Sequence, residues 1–215
     1  MSESTSHQRF PRLYPIVDQE LLELRRVGLS RCGEELRAAG VTLLQYRNKV
    51  GAPHSILRDA AMVWEVLAGS GCRLILNDYA DLVADAGFDG VHVGQGDLSP
   101  EEARRVVGAE RWVGVSTHSD EQVRIANGTS ADYVAVGPVF TTGTKLDAEP
   151  VIGLEGVRRA RTLTKKPIVA IGGITRGNAR SVIDAGADSV AVISALLVEG
   201  ETVEKVARDF LEILR

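Results

Sequence analysis

The sequence predicts an α/β fold, a single (β/α)8 TIM barrel, on three observations. Eight short, nearly continuous apolar runs recur along 215 residues, at 13–18, 41–47, 73–78, 90–95, 112–117, 133–140, 167–173 and 189–196. Parallel strands covered on both faces have this composition. Between many of them the apolar residues recur every three to four positions, at 30–39, 55–68, 121–126, 154–163, 178–185 and 203–214, the spacing of amphipathic helices. No linker or composition break interrupts the alternation, so one closed barrel accounts for all of it. A doubly wound open sheet competes. It usually needs fewer strands, and no G-x-G-x-x-G turn follows the first run.

The element ends carry their own signals. Ser99-Pro100-Glu101-Glu102 reads as a helix start: a hydroxyl to cap, a proline whose missing N–H is not needed there, and acids beside the positive end of the helix. Gly40, Gly87 and Gly186 close helical patterns just ahead of a strand. Side chains alternate along a strand, so Gln45, Arg47 and Lys49 share one side and Tyr46 faces the other.

Charge and composition narrow the class. With 25 basic against 29 acidic residues the net charge is −4, which disfavours a nucleic-acid surface. No apolar run approaches the roughly 20 residues of a membrane span. The first eight residues are polar and lack a signal-peptide core. The expected organisation is a polar, flexible tail over 1–10 and a catalytic barrel over 11–215, in the cytoplasm. Cys32 and Cys72 match no metal or redox spacing and are expected as reduced thiols. Small molecules are the expected partners, with neither nucleic acid nor membrane; a homo-oligomer is left open.

In barrels of this kind the site lies at the C-terminal strand ends. The second strand ends in Gln45, Arg47 and Lys49, an amide and two cations whose burial unpaired would be costly. They read as a ligand-orienting amide with phosphate-binding cations, or as a salt bridge to a helix; shared parity favours a ligand. Asn77-Asp78 and Asp97 end the next two strands. Two carboxylates there suit Mg2+, which completes its octahedron with water and phosphate oxygens, although each Asp could instead cap a helix. Ser116 and His118 lie two apart on the fifth strand without a G-x-S-x-G elbow, so Ser116 reads as a ligand hydrogen-bonding group, not a nucleophile. His118 reads equally as a loop-stabilising or a catalytic residue, and His92 as a core histidine.

The sixth strand opens into Gly137-Pro138-Val139-Phe140-Thr141-Thr142-Gly143-Thr144-Lys145, offering hydroxyls from Thr142 and Thr144 and a point charge from Lys145. A Schiff-base role for Lys145 would need a desolvated amine, which its polar neighbours oppose. Gly172-Gly173 and Ser194 end the last two strands, where barrels of this class commonly bind phosphate through backbone N–H groups.

Taken in order, these tips resemble the thiamine-phosphate synthase family from about residue 12 to residue 214. The matching pieces are Gln45-Tyr46-Arg47-Asn48-Lys49, Asn77-Asp78, the run from Gly90 to Leu98, Gly114-Val115-Ser116-Thr117-His118, Gly137 to Lys145 and Ile171 to Ile174. Each is weak alone; the ordered set is specific. The resemblance implies a transferase that joins 4-amino-2-methyl-5-hydroxymethylpyrimidine diphosphate to 4-methyl-5-hydroxyethylthiazole phosphate, releasing pyrophosphate, with Mg2+ as cofactor. It further implies Asp78 and Asp97 as metal ligands. Arg47, Lys49, Asn77 and Lys145 would clamp the diphosphate, and Gln45 and Ser116 would contact the pyrimidine. Thr142 and Thr144 would serve the thiazole side, and Gly173, Ile193 and Ser194 its phosphate. Arg47, Lys49, Ser116 and Lys145 are the residues expected to carry catalysis, in a dissociative substitution that needs no strong base.

Three positions depart from the family pattern: Tyr46 for leucine, Tyr79 for arginine and Thr141 for proline. Two rivals stand beside the synthase, a thiazole tautomerase of the same family and a non-catalytic barrel that binds a phosphate ligand. Asp78, Asp97 and Lys145 together favour the synthase.

Overall fold

Eight parallel strands close on themselves in sequence order, as a computed structural model describing residues 10–143 and 150–215 shows. They are β1 (Leu13–Asp18), β2 (Leu43–Arg47), β3 (Arg73–Asn77), β4 (Gly90–Val93), β5 (Trp112–Thr117), β6 (Tyr133–Val136), β7 (Ile168–Ile171) and β8 (Ser189–Val192). Closure is made by β8 lying beside β1, with Leu13 opposite Val190. Around them run α1 (Gln19–Arg25), α2 (Leu29–Ala39), α3 (Pro53–Leu67), α4 (Pro100–Val107), α5 (Asp120–Asn127), α6 (Gly153–Leu163), α7 (Ala179–Asp184) and α8 (Val203–Ile213). The expected barrel is therefore present, with two helices after β1. Between β3 and β4 there is only a 3-10 turn at Ala80–Leu82, among the described residues.

Strand alternation sorts the core into two shells. Outward residues such as Leu44, Tyr46, Val91, Val93 and Val134 pack against the helices. Inward residues, among them Tyr14, Leu43, Ile75, Tyr133 and Val169, fill the barrel. At the bottom, Phe10 stacks on Trp112 with ring centroids 5.3 Å apart, and the Arg73 guanidinium lies 3.9 Å over the same indole. The tail expected over 1–10 otherwise lies outside the described residues.

Several strands are shorter than their apolar runs suggest. The sixth run was expected to extend to residue 140, yet β6 stops at Val136, because Pro138 has no N–H to give the ladder. Beyond it Val139 and Phe140 donate to the carbonyls of Ile171 and Gly172, at 2.9 and 3.0 Å, so the chain leans onto the β7 loop. The eighth run ends at Val192 and turns into a 3-10 segment over Ser194–Leu196. Residues 41 and 42 likewise precede β2: the Val41 N–H is held by the Leu36 carbonyl at the end of α2. Apolar residues that cover a loop are indistinguishable by composition from strand residues.

Candidate active site

At the C-terminal end of the barrel an open cavity is lined by Gln45, Arg47, Asn77, Ser116 and Ile193, together with Tyr14, Ile16, His92 and His118. The first five were expected there. Gln45 projects inward as parity requires, its Nε2 donating to the Tyr14 hydroxyl at 3.0 Å. Arg47 pairs with Asp18 at the tip of β1, and Asp18 also caps α1 by accepting from the Leu21 N–H at 2.9 Å. The cation of β2 is thus held by a strand-end carboxylate and not by a helix face. Asn77 is 6% exposed, and its side-chain Nδ2 has no hydrogen-bond partner. A buried unmade donor at a cavity wall is a place for a ligand oxygen.

The acidic rim comes next. Lys49 Nζ lies 2.8 Å from Asp78 Oδ2, and Asp97 stands within hydrogen-bonding reach of the same carboxyl. Burial raises the Asp78 pKa above the usual carboxylate value, and the Asp97 charge raises it further against the opposing pull of Lys49. Asp78 is also one of two non-glycine residues with positive φ among the described residues, at 67°. Aspartate tolerates that region better than most side chains, and its use turns the carboxyl at the strand end. The helix-cap alternative for Asp97 fails on geometry. Its Oδ2 accepts from Gly94 N–H at 2.8 Å, whereas Ser99 and Glu102 form the complete capping box of α4.

Two adjacent carboxylates at a partly open rim fit a divalent cation, which would relieve their repulsion. No cluster of three or more His, Cys, Asp or Glu exists among the described residues. Mg2+ does not require one, since it retains waters and takes phosphate oxygens.

Ser116 on β5 and His118 just beyond its end do not meet. His118 Nδ1 is 2.7 Å from the Gly137 carbonyl oxygen, tying the β5 and β6 loops. The partner of Ser116 is His92, whose Nε2 lies 2.8 Å from Ser116 Oγ. His92 is buried, as expected of a core histidine, but it also faces the cavity. His92, Tyr14 and Tyr133 were not anticipated as site residues. Inward parity on β4, with Val91 and Val93 outward, was the available signal for His92.

On the far side Gly172 and Gly173 have φ of 100° and 63°. A Cβ on Gly173 would sit 2.5 Å from the Thr141 carbonyl oxygen, so only glycine fits against the β6 loop. Asn178 fastens this turn, donating to the Gly173 carbonyl at 3.1 Å and accepting from Thr175 N–H at 2.8 Å. Ser194 is exposed at the start of the 3-10 segment after β8, and Thr142 is half-buried after β6. Thr144 and Lys145 lie outside the described residues.

A closed parallel barrel with acids, bases and amides gathered at its C-terminal rim is the architecture of a (β/α)8-barrel enzyme. Residues 13–196 match the family model described as thiamine monophosphate synthase. The thiamine-phosphate synthase of Koribacter versatilis is 54% identical over 208 residues, covering 96% of this chain and 97% of that protein. That of Chloroflexus aurantiacus is 41% identical over 189 residues, 85% of this chain and 87% of the relative. The solved thiamine phosphate pyrophosphorylase from Pyrococcus furiosus superposes with a TM-score of 0.84 at 31% identity, covering 94% of this chain and 95% of that one. The chain belongs to the thiamine monophosphate synthase family, and with it to the transferases.

Proposed function

We propose that this chain is a thiamine-phosphate synthase, condensing 4-amino-2-methyl-5-hydroxymethylpyrimidine diphosphate with 4-methyl-5-hydroxyethylthiazole phosphate. The observation that supports it best is the approach of Lys49, Asp78 and Asp97 at one rim, beside a cavity that holds Arg47 and the unpartnered Asn77 amide. Those groups suit a diphosphate, and the deeper Gln45 and Ser116 suit a polar heteroaromatic ring.

The bond from the pyrimidine methylene carbon to the diphosphate oxygen breaks first, and both electrons leave with the diphosphate. Arg47, Lys49 and Asn77 donate to the departing oxygens, joined in this assignment by Lys145. Donors aimed at developing charge lower the barrier, each typically contributing about 10²–10³ in rate. Asp78 and Asp97 would hold Mg2+, which supplies charge neutralisation at the diphosphate. The cation left on the pyrimidine is held by Gln45 and Ser116 while Ile16, Ile171 and Ile193, which line the cavity, limit access of competing water. The thiazole nitrogen then donates its lone pair to the methylene carbon. It carries no proton, so no base is needed and His118 has no part in the step. Backbone N–H groups near Gly173 and the residues Ile193 and Ser194 seat the thiazole phosphate, and Thr142 and Thr144 are assigned to the thiazole side.

We further place the protein in the cytoplasm, acting on small molecules alone, with residues 11–215 as its catalytic domain. Free Cys32 and Cys72 accord with a reducing compartment, and no helix among the described residues is long and apolar enough to cross a membrane. Pyrophosphate release tests the assignment. Turnover is expected only with both substrates and Mg2+, and thiamine phosphate should accumulate in equal amount. A pure protein that isomerises the thiazole precursor, or binds either substrate without release, would sink it.

A further inference from the structure

Beneath the cavity a line of hydrogen bonds crosses the barrel interior from β2 to β5. Gln45 Nε2 donates to the Tyr14 hydroxyl at 3.0 Å. The Tyr14 and Tyr133 hydroxyls are 2.9 Å apart, and Tyr133 is 3.1 Å from His92 Nδ1. His92 Nε2 reaches Ser116 Oγ at 2.8 Å. Both ends of the line, Gln45 and Ser116, face the cavity, as do parts of Tyr14 and His92, and the Tyr14 and Tyr133 side chains are buried, at 1% and 0% exposed. The arrangement is built for fit. The Tyr133 ring stacks on His92 at 5.6 Å and meets Tyr14 edge-on at 6.0 Å. It also lies so close to Gly114 that a Cβ there would come within 2.0 Å of the phenol carbon.

Each hydroxyl has one proton, so the line has a direction. Tyr14 accepts from Gln45, and in the direction that continues from there its own proton goes to Tyr133. Tyr133, having accepted, donates to His92 Nδ1. A neutral imidazole that accepts at Nδ1 carries its proton on Nε2 and gives it to Ser116 Oγ. The Ser116 proton is then left to point into the cavity. At the other end the Gln45 amide, with its nitrogen committed to Tyr14, turns its carbonyl oxygen towards a ligand. Burial holds both tyrosines protonated, since it raises their pKa values.

We propose that Tyr133, backed by Tyr14, is a positioning residue that fixes His92 as the Nε2–H tautomer and so makes Ser116 a hydrogen-bond donor to substrate. It builds on the assignment of Gln45 and Ser116 to the pyrimidine side. The polarised pair selects a ring with an unprotonated nitrogen facing Ser116 and an amino group facing Gln45. A ring bearing an oxo group and a protonated nitrogen would present the reverse pattern at both ends and be rejected.

The test uses the full chain as Tyr133→Phe, Tyr14→Phe and Ser116→Ala variants, with both substrates and Mg2+. Tyr133→Phe is expected to raise KM for the pyrimidine diphosphate by about tenfold and leave KM for the thiazole phosphate unchanged. Tyr14→Phe should move the same parameter in the same direction by less. Nitrogen-15 shifts of the histidine rings read the tautomer without turnover: His92 should be Nε2–H in the parent and mixed in Tyr133→Phe. An Nδ1–H His92 in the parent overturns the proposal whether or not a variant folds. So does a Ser116→Ala variant impaired on the pyrimidine side while both phenylalanine variants behave as the parent. Pyrimidine kinetics unchanged in Ser116→Ala would instead remove the underlying site assignment.

Discussion

Lys49, on the loop after β2, reaches across to Asp78 at the end of β3, Nζ to Oδ2 at 2.8 Å, and Asp97 approaches the same carboxyl from β4. Three consecutive strand ends thus share one charged rim. In the absence of a cation the lysine offsets part of the repulsion between the two acids. Substrate and Mg2+ would free it to turn towards phosphate oxygens.

Replacing Asp97 with alanine is therefore expected to lower Mg2+-dependent turnover by at least about 10²-fold and leave the thermal midpoint nearly unchanged. Fold and function separate here because α4 is capped by Ser99 and Glu102, not by Asp97. Ser99→Ala should show the opposite behaviour, a loss of about 1 kcal/mol in stability with kcat intact. Steady-state kinetics and thermal unfolding on the two variants decide the matter. Full activity in Asp97→Ala would remove the metal assignment.

Tyr46 replaces the leucine usual in this family and faces away from the cavity. The structure gives its hydroxyl a purpose. It donates to buried Asp59 Oδ2 on α3 at 2.8 Å and accepts from Asn48 Nδ2 at 3.3 Å. Asn48 Oδ1 in turn receives the N–H groups of Val50 and Gly51, closing the loop that carries Lys49. Tyr46→Phe keeps the ring and removes only the hydroxyl, leaving Asp59 with Arg58 as its remaining side-chain partner. A loss of about 1–3 kcal/mol is expected in denaturant unfolding; a change below about 0.5 kcal/mol would show the pair to be incidental.

The strand tips were legible because two periodicities agree: apolar runs locate the strands, and alternation says which tip residues turn inward. Gln45, Arg47 and Ser116 follow from parity alone. What parity cannot supply is which inward residue meets which across the barrel. His92 and Ser116 are 24 positions apart, and Tyr14 and Tyr133 are 119 apart; their contacts arise only when the sheet closes. Arg47 likewise finds Asp18 through the pairing of β1 with β2. Ser116 and His118, two apart on one strand side, point alike and bond to different strands, as their spacing required.

His118 is the residue on which synthase and acid–base readings diverge. Its Nδ1 contact to the Gly137 carbonyl, at 2.7 Å, gives it a structural task at the base of the β6 loop. His118→Ala is expected to retain more than about a tenth of kcat while losing about 1 kcal/mol of stability, the usual net value of one such bond. Abolished turnover in a folded variant would require proton transfer by this ring.

Acid stability should report on a cluster that ties the β7 loop to α8. Arg176, beside the turn that Asn178 fastens, pairs with Glu201 and with Asp209, and Lys205 bridges the same two acids. The hydrogen bond from Arg176 lowers the Glu201 pKa to about 2, and Lys205 and Arg176 hold Asp209 below its usual value. Because these folded pKa values are depressed, the stabilisation is fully present above the unfolded carboxylate range. It is lost as pH falls through the folded values. Thermal midpoints should accordingly fall between about pH 4.5, the unperturbed glutamate value, and about pH 2. In Arg176→Ala that acid limb should be shallower, since Glu201 then titrates closer to its unfolded value, although Lys205 remains. Parallel limbs in the two proteins would mean that other carboxylates govern acid unfolding.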